Sequence, residues 1–335
     1  MKGSMKSIIG IILITALLSG CSAVSNNNAN AGTEIKDVAA IKNTNDMGEY
    51  MKMIDKTVPG FEPYYKIVFA FENLPDGLSS IPFADVNSMY NELRETFGYI
   101  IVGEQPLAYR GEYTGDTCFV DGYDIYEAKK NDKDMKVFNP LNVIAQDWDG
   151  TEFITTSLKT AMLGEDTIAK FDDSIMEGRN LQPSDFHLKK STDTIKVVLG
   201  SNYQSVYQIG DTLTLDLMSK LMTFEVVGFY KPGVCFSMDV GAQHEVNFDN
   251  TIVIPHLFFD YEPVDSAELW QHSFLAGEKL SGYITIEEKT ADINEATFDT
   301  YSNEINKIAD KYGISNLYKL PYRPVGFVWD DLKNE

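Results

Sequence analysis

Two stretches towards the ends of this chain read as strand, helix, strand, and the residues between them do not. Tyr64 to Glu72 (YYKIVFAFE) is aromatic and β-branched, the composition that strands favour. A turn at Asn73-Leu74-Pro75-Asp76-Gly77 follows, and then Phe83, Val86, Tyr90, Leu93 and Phe97 recur at three- and four-residue steps, one face of a helix. Gly98 stops that helix, and Tyr99 to Gly103 (YIIVG) returns as a strand. Near the other end, Gly282 to Glu287 is a strand, Asp292 with Glu295 forms a capping box, and Ile293, Tyr301, Ile305, Ile308 and Tyr312 line a helix that Gly313 closes. Ile314 to Leu320 then reads as its return strand.

From Ala108 to Pro255 the pattern is short strands broken by Gly, Asp and Asn turns. Lys196–Gly200, Thr212–Leu217 and Thr223–Tyr230 are the clearest, with a turn at Gln208-Ile209-Gly210-Asp211. The expected fold is therefore α+β: a split part containing βαβ units, made from 46–104 and 256–335, with a β-rich part, 105–255, inserted between its halves.

Ahead of this body stands a leader. Lys2 and Lys6 give it a basic start, Ile8 to Leu18 an apolar core short for a membrane span, and Leu18-Ser19-Gly20-Cys21 a lipobox-like end. Residues 1–20 read as a lipoprotein signal peptide, with Cys21 carrying the lipid after cleavage. An uncleaved anchor and a plain secretory signal are the competing readings. The short apolar run speaks against the first and the weak site at Ser22-Ala23-Val24-Ser25 against the second. Residues 21–45, rich in Asn, Ala and Ser at their start, read as a flexible tether. The expected location is extracytoplasmic, lipid-anchored to a bacterial cell membrane.

With 335 residues, 44% hydrophobic and 12% aromatic, the chain is long and apolar enough for a sizeable core. Its formal charge of −22 opposes binding to nucleic acid and to anionic lipid headgroups, so no nucleic-acid partner is expected and attachment falls to the lipid. Besides Cys21, only Cys118 and Cys235 remain. They read as two buried, reduced thiols, and the alternative is a disulfide between them, which an oxidising compartment permits.

The residues from Glu177 to Gly233 form an ordered series. Glu177-Gly178-Arg179-Asn180-Leu181 precedes Lys196-Val197-Val198-Leu199-Gly200-Ser201. Ile209-Gly210-Asp211-Thr212-Leu213 and Phe224-Glu225-Val226-Val227-Gly228-Phe229 follow, and Asp249 to Pro255 (DNTIVIP) completes it. This series resembles the extracytoplasmic core domain of MacB/FtsX-type ABC transporter permeases. The resemblance implies a split α+β part with an inserted β-rich subdomain, and a partner that is an ABC-type permease or another copy of this chain. Members of that family set the domain between a first transmembrane helix and three more. Here a lipid anchor is expected where the first helix would stand, and no helices are expected after Asp330 to Glu335. The expected role is thus a non-enzymatic accessory or interaction partner of an export or permease complex. The alternative is a surface lipoprotein that binds a peptide or small molecule between its two parts.

No catalytic, metal or cofactor site is expected. The four histidines, His187, His244, His256 and His272, form no HExxH pair and no zinc pattern. His244-Glu245, with Asp239 and Asp249 near in sequence, reads as a solvated acidic loop. Asp147-Trp148-Asp149-Gly150-Thr151-Glu152 lacks the ligand spacing of a calcium loop and reads as a turn. There is no Walker A loop and no Gly-x-Ser-x-Gly elbow. Aromatics in the 64–71 strand are expected to be core. The segment after Pro255 (HLFFDYEPVD) is the candidate contact loop.

Overall fold

The structure is a computed structural model that describes residues 46–330 apart from positions 59, 104–106, 134, 148 and 239–243. The signal peptide 1–20, Cys21 and the tether to residue 45 lie outside the described residues. The fold is α+β. Its helices are α1 (Met47–Thr57), α2 (Phe83–Phe97), α3 (Tyr123–Lys129), α4 (Glu165–Ala169), α5 (Ser266–Glu278) and α6 (Glu295–Lys311).

The first sheet has six strands: β1 (Glu62–Lys66), β2 (Tyr99–Ile100), β3 (Cys235–Met238), β4 (His244–Asn247), β5 (Tyr283–Thr285) and β6 (Val325–Asp330). They lie in the order β4-β3-β6-β1-β5-β2, each antiparallel to its neighbours. It follows that β1 and β2 run parallel with β5 between them, joined through α2. Likewise β5 and β6 run parallel with β1 between them, joined through α6. Two β-α-β units are interleaved in this way, the arrangement of a ferredoxin-like sheet.

Alternation along β1 sends neighbouring side chains to opposite faces. Tyr65 packs under α6 against Phe298 and Tyr301, with ring centroids 5.4 Å away in each case. Tyr64 turns the other way, 5.1 Å from Phe327. On that second face Phe236 of β3 and Trp329 of β6 meet Phe171 and Phe248, an aromatic layer that continues to Tyr230.

The second sheet has ten strands built around the long strand Lys220–Tyr230. That strand pairs antiparallel with Thr212–Leu217 and parallel with Ile195–Leu199. Val197, Leu199, Leu215, Phe224, Val226 and Ile254 fill its core, and Leu275 of α5 joins them. Within this sheet Gly178 stands opposite Gly228, and the Arg179 amide donates to the Val227 carbonyl at 2.9 Å. A Cβ on Gly228 would sit 2.2 Å from the Arg179 carbonyl oxygen, so only glycine allows this approach.

Several local expectations change. The stretch Tyr99–Gly103 is two strands rather than one: β2 stays in the first sheet, while Val102–Gly103 pairs with Thr160–Leu163 in the second. Ile101 makes the crossing, its carbonyl accepting from Thr167 Oγ1 and the Gly164 amide. The 64–72 strand breaks after Lys66, and a 3-10 turn begins at Phe71. Asn294, not Asp292, caps α6: its side chain accepts from the Ala296 and Thr297 amides, while Thr297 Oγ1 accepts from the Asn294 amide. Only Tyr318–Lys319 of the expected 314–320 strand forms, as a small ribbon with Val68–Phe69. The strand that returns to the first sheet is β6. His244–Asn247 is a strand rather than a loop, and its hairpin with β3 extends the first sheet although it lies within 105–255.

Candidate ligand-binding cleft

Helix α5 lies between the two sheets' territories and has little polar face to give to water. Asp265 caps it, accepting from the Glu268 amide at 2.8 Å. Glu268, Gln271, His272, Ser273, Leu275, Ala276 and Gly277 are all buried. Gly277 is there because a Cβ would come within 2.7 Å of the Phe69 ring. Glu268 is fully buried and makes an ion pair with Lys220, and its other oxygen accepts from the Val264 amide at 2.9 Å. Burial alone would raise this carboxyl, but the Lys220 ammonium and the Val264 N–H outweigh it and hold the group below its ordinary value.

At the end of α5 sits Lys279, 3% exposed. Its Nζ donates to the Leu257 carbonyl at 3.0 Å and lies 4.3 Å from the centre of the Phe258 ring. Burial pulls its pKa down to about 7. The neighbouring Glu278 is pushed up to about 7 by the same cause. His256 is buried with both ring nitrogens unpartnered. Burial, and next the Lys279 charge, hold it well below its usual range, so it is neutral.

His272, about two turns before Lys279 on α5, stacks flat on Phe259 with ring centroids 3.9 Å apart and planes 6° from parallel. Tyr261 and Phe83 meet it edge-on at 5.0 and 6.2 Å. Burial lowers its pKa to about 4, so this imidazole too is neutral. Between α5, the segment Phe259–Pro263 and the start of α2 opens a cleft of about 370 Å³. Phe83, Asn87, Phe259, Tyr261, His272 and Lys279 are among the residues that line it. Three of these residues carry a polar atom that is buried in the packing and has no hydrogen-bond partner: Asn87 Oδ1, Tyr261 Oη and His272 Nε2.

The other sequence candidates fall elsewhere. His187 pairs with Asp260 through Nδ1 at 3.1 Å and stacks on Phe258. The Asp147 carboxylate grips Arg110 at 2.6 and 2.8 Å, Arg110 also pairs with Asp216, and Asp149 accepts from the Thr151 amide in a turn at Gly150. Asp249 ties Ser201 to Gly233 through one oxygen. Asp239 lies outside the described residues, as does the His244 side chain. Among the described residues no three His, Cys, Asp or Glu side chains gather as a metal group, and no disulfide joins Cys118 to Cys235.

Of the sequence candidates, the 256–265 segment and His272 come together at the cleft. Asn87 and Lys279 are not among the sequence candidates. The signal that would have found α5 is Asp265-Ser266-Ala267-Glu268, an acidic capping box. In comparisons with known proteins, no family model, no curated protein and no solved structure matches the chain.

Proposed function

We propose that the chain is an extracytoplasmic protein held to a bacterial cell membrane by a lipid on Cys21. It acts without catalysis, as an accessory or interaction partner of an ABC-type export or permease complex. The observation that carries this reading is the layout: two interleaved β-α-β units drawn from the two ends of the body, with the second sheet supplied by the residues between. That layout is the one implied by the resemblance to the MacB-type core domain. The close approach of Gly178, Arg179 and Gly228 adds support, because it gives the ordered motif series a common packing role. Among the described residues no helix is long and apolar enough to cross a membrane, in keeping with attachment through the lipid. Affinity purification from detergent-solubilised membranes tests the proposal. Recovery of an ABC permease supports it, and recovery of no membrane complex counts against it.

A second reading, a lipoprotein that binds a small molecule, is favoured by one observation: the cleft of about 370 Å³ beside α5, walled by Phe83, Phe259, Tyr261 and His272. A ligand that fills it should raise the thermal midpoint, since binding to the folded state alone adds to apparent stability.

A further inference from the structure

The ten-stranded sheet ends on one side in an open strand that carries no charge. Val143–Gln146 pairs with Glu152–Leu158 on its inner side, and among the described residues no strand pairs with its outer side. The opposite edge of the sheet, Val102–Gly103, is only two residues long. Open edges are usually guarded by charged side chains, because their free N–H and C=O groups accept a further strand. Here no residue from Val137 to Gln146 is charged, in a chain that is 23% charged. Ile144 stands opposite Ile154 and is 70% exposed, and Phe138, on the way into the strand, is 74% exposed.

The Asp147 amide donates to the Thr151 carbonyl at 2.9 Å, so alternation makes Ala145 with Phe153, and Val143 with Thr155, the hydrogen-bonded pairs of the hairpin. Ile144 and Gln146 therefore direct their N–H and C=O groups outward. Asn142 does not continue this row: its φ is 53° and its amide donates to Thr156 Oγ1 at 2.8 Å. Two such edges fit each other in one register. Joined antiparallel about a two-fold axis, Ile144 of one copy bonds Gln146 of the other, twice over, with Ala145 on the axis. Setting Ile144 against Ile144 would instead oppose Gln146 to Asn142, whose amide is already used.

Charge favours the same occupant. At the far end of the strand, in the turn from Asp147 to Glu152, Arg110 holds Asp147 while Asp149 and Glu152 are exposed. The near end is where α3 is fixed, by the Asp121 amide on the Ser157 carbonyl and a bridge between Val120 and Leu158. The chain leading from α3 towards the strand carries Lys129, Lys130, Lys133 and Lys136 against Asp132 and Asp134, and Lys130 pairs with Glu127 of its own copy. An antiparallel second copy brings each acidic turn beside the lysine-bearing segment of the other; a parallel approach would set like ends together. Elsewhere the formal charge of −22 opposes self-association, so an uncharged edge with complementary ends is where two copies can meet.

We propose that Val143–Gln146 is a self-association edge: a second copy of this chain adds its own Val143–Gln146 antiparallel, and the large sheets of two molecules become one. The inference is independent of the permease and ligand-binding readings, since it concerns a different face and a different partner.

Cysteine cross-linking of the full chain in the membranes of cells that express it tests the proposal. Ala145→Cys places a thiol on the axis, at a non-hydrogen-bonded pair where facing residues come within disulfide reach. Oxidation with copper–phenanthroline should give a disulfide-linked dimer on a non-reducing gel. The parent chain, and Asn303→Cys on the exposed side of α6, should give none. Adding Ile144→Lys to Ala145→Cys guards the edge with charge and should cut the dimer about tenfold. Ile144 is mostly exposed, so the thermal midpoint should stay close to that of the parent. No dimer with Ala145→Cys, a dimer of equal yield with Asn303→Cys, or a yield untouched by Ile144→Lys overturns the proposal. A disulfide from Ala145→Cys to a different protein overturns the second copy as the occupant of the edge.

Discussion

Replacing Lys279 with methionine should make this protein more stable, and by an amount that depends on pH. The ammonium is almost fully buried, and its contacts are one carbonyl, that of Leu257, and the face of Phe258. Burial moves the pKa from 10.5 to about 7. A displacement of that size corresponds to roughly 4–5 kcal/mol against the charged form. The unfolded chain keeps the proton up to pH 10.5, while the folded chain releases it near 7. The unfolded state therefore binds more protons between those values, and the stability of the parent protein rises with pH across that window. Methionine fills a similar volume, carries no charge and leaves only the Leu257 carbonyl without its donor, a cost of about 1–3 kcal/mol. Lys279→Met should then exceed the parent by about 1–4 kcal/mol at pH 6, the range found when buried charges give way to apolar side chains. The gap should shrink by roughly 2–3 kcal/mol by pH 9. Urea unfolding followed by tryptophan fluorescence at pH 6, 7, 8 and 9 measures both quantities, and the difference between the two proteins cancels titrations they share. A gap that does not change with pH, or a variant less stable at pH 6, would refute the placement of a desolvated ammonium here.

Three further outcomes follow from particular contacts. Lys220→Met leaves the Glu268 carboxylate buried and unpaired, and should cost about 3–5 kcal/mol in urea unfolding. The double variant Lys220→Met with Glu268→Leu should lose clearly less than the single one. Gly228→Ala forces a Cβ to within 2.2 Å of the Arg179 carbonyl oxygen and should cost about 3 kcal/mol or more, read as a lower urea midpoint with an unchanged slope. Cys21→Ser removes the lipid acceptor and should move the protein out of the membrane fraction or leave its leader uncut; a variant still processed and retained in the membrane would contradict the lipid anchor.

The parts of the fold that show in the sequence are those whose residues answer to one partner only. Helices α2 and α6 each bury one face, so Val86, Tyr90 and Leu93, or Tyr301, Ile305 and Ile308, mark them by spacing. Gly98 and Gly313, with φ of 72° and 70°, mark their ends. Helix α5 lacks such a stripe because it is enclosed on several sides, and burial of Glu268, Gln271 and His272 hides it further. Strand composition says that Tyr99–Gly103 is extended but not that its two halves join different sheets; Thr167 and Gly164, some 65 residues on, hold Ile101 at the crossing. The hairpin of β3 and β4 was hidden for the same reason, since its pairing partner is β6 at the far end of the body. The cleft was the least legible feature. Asn87, Tyr261, His272 and Lys279 come from three elements, and each residue alone reads as ordinary. Only their shared cavity makes them a site.

The measurement closest to the central claim is chemical cross-linking of intact cells that express the tagged full chain, followed by mass spectrometry of the purified protein. If the chain is a permease accessory, cross-links will join lysines of its folded body to the extracytoplasmic region of an ABC-type permease, and Cys21→Ser will abolish them. Cross-links confined to the chain itself, or reaching no membrane protein, would contradict that role.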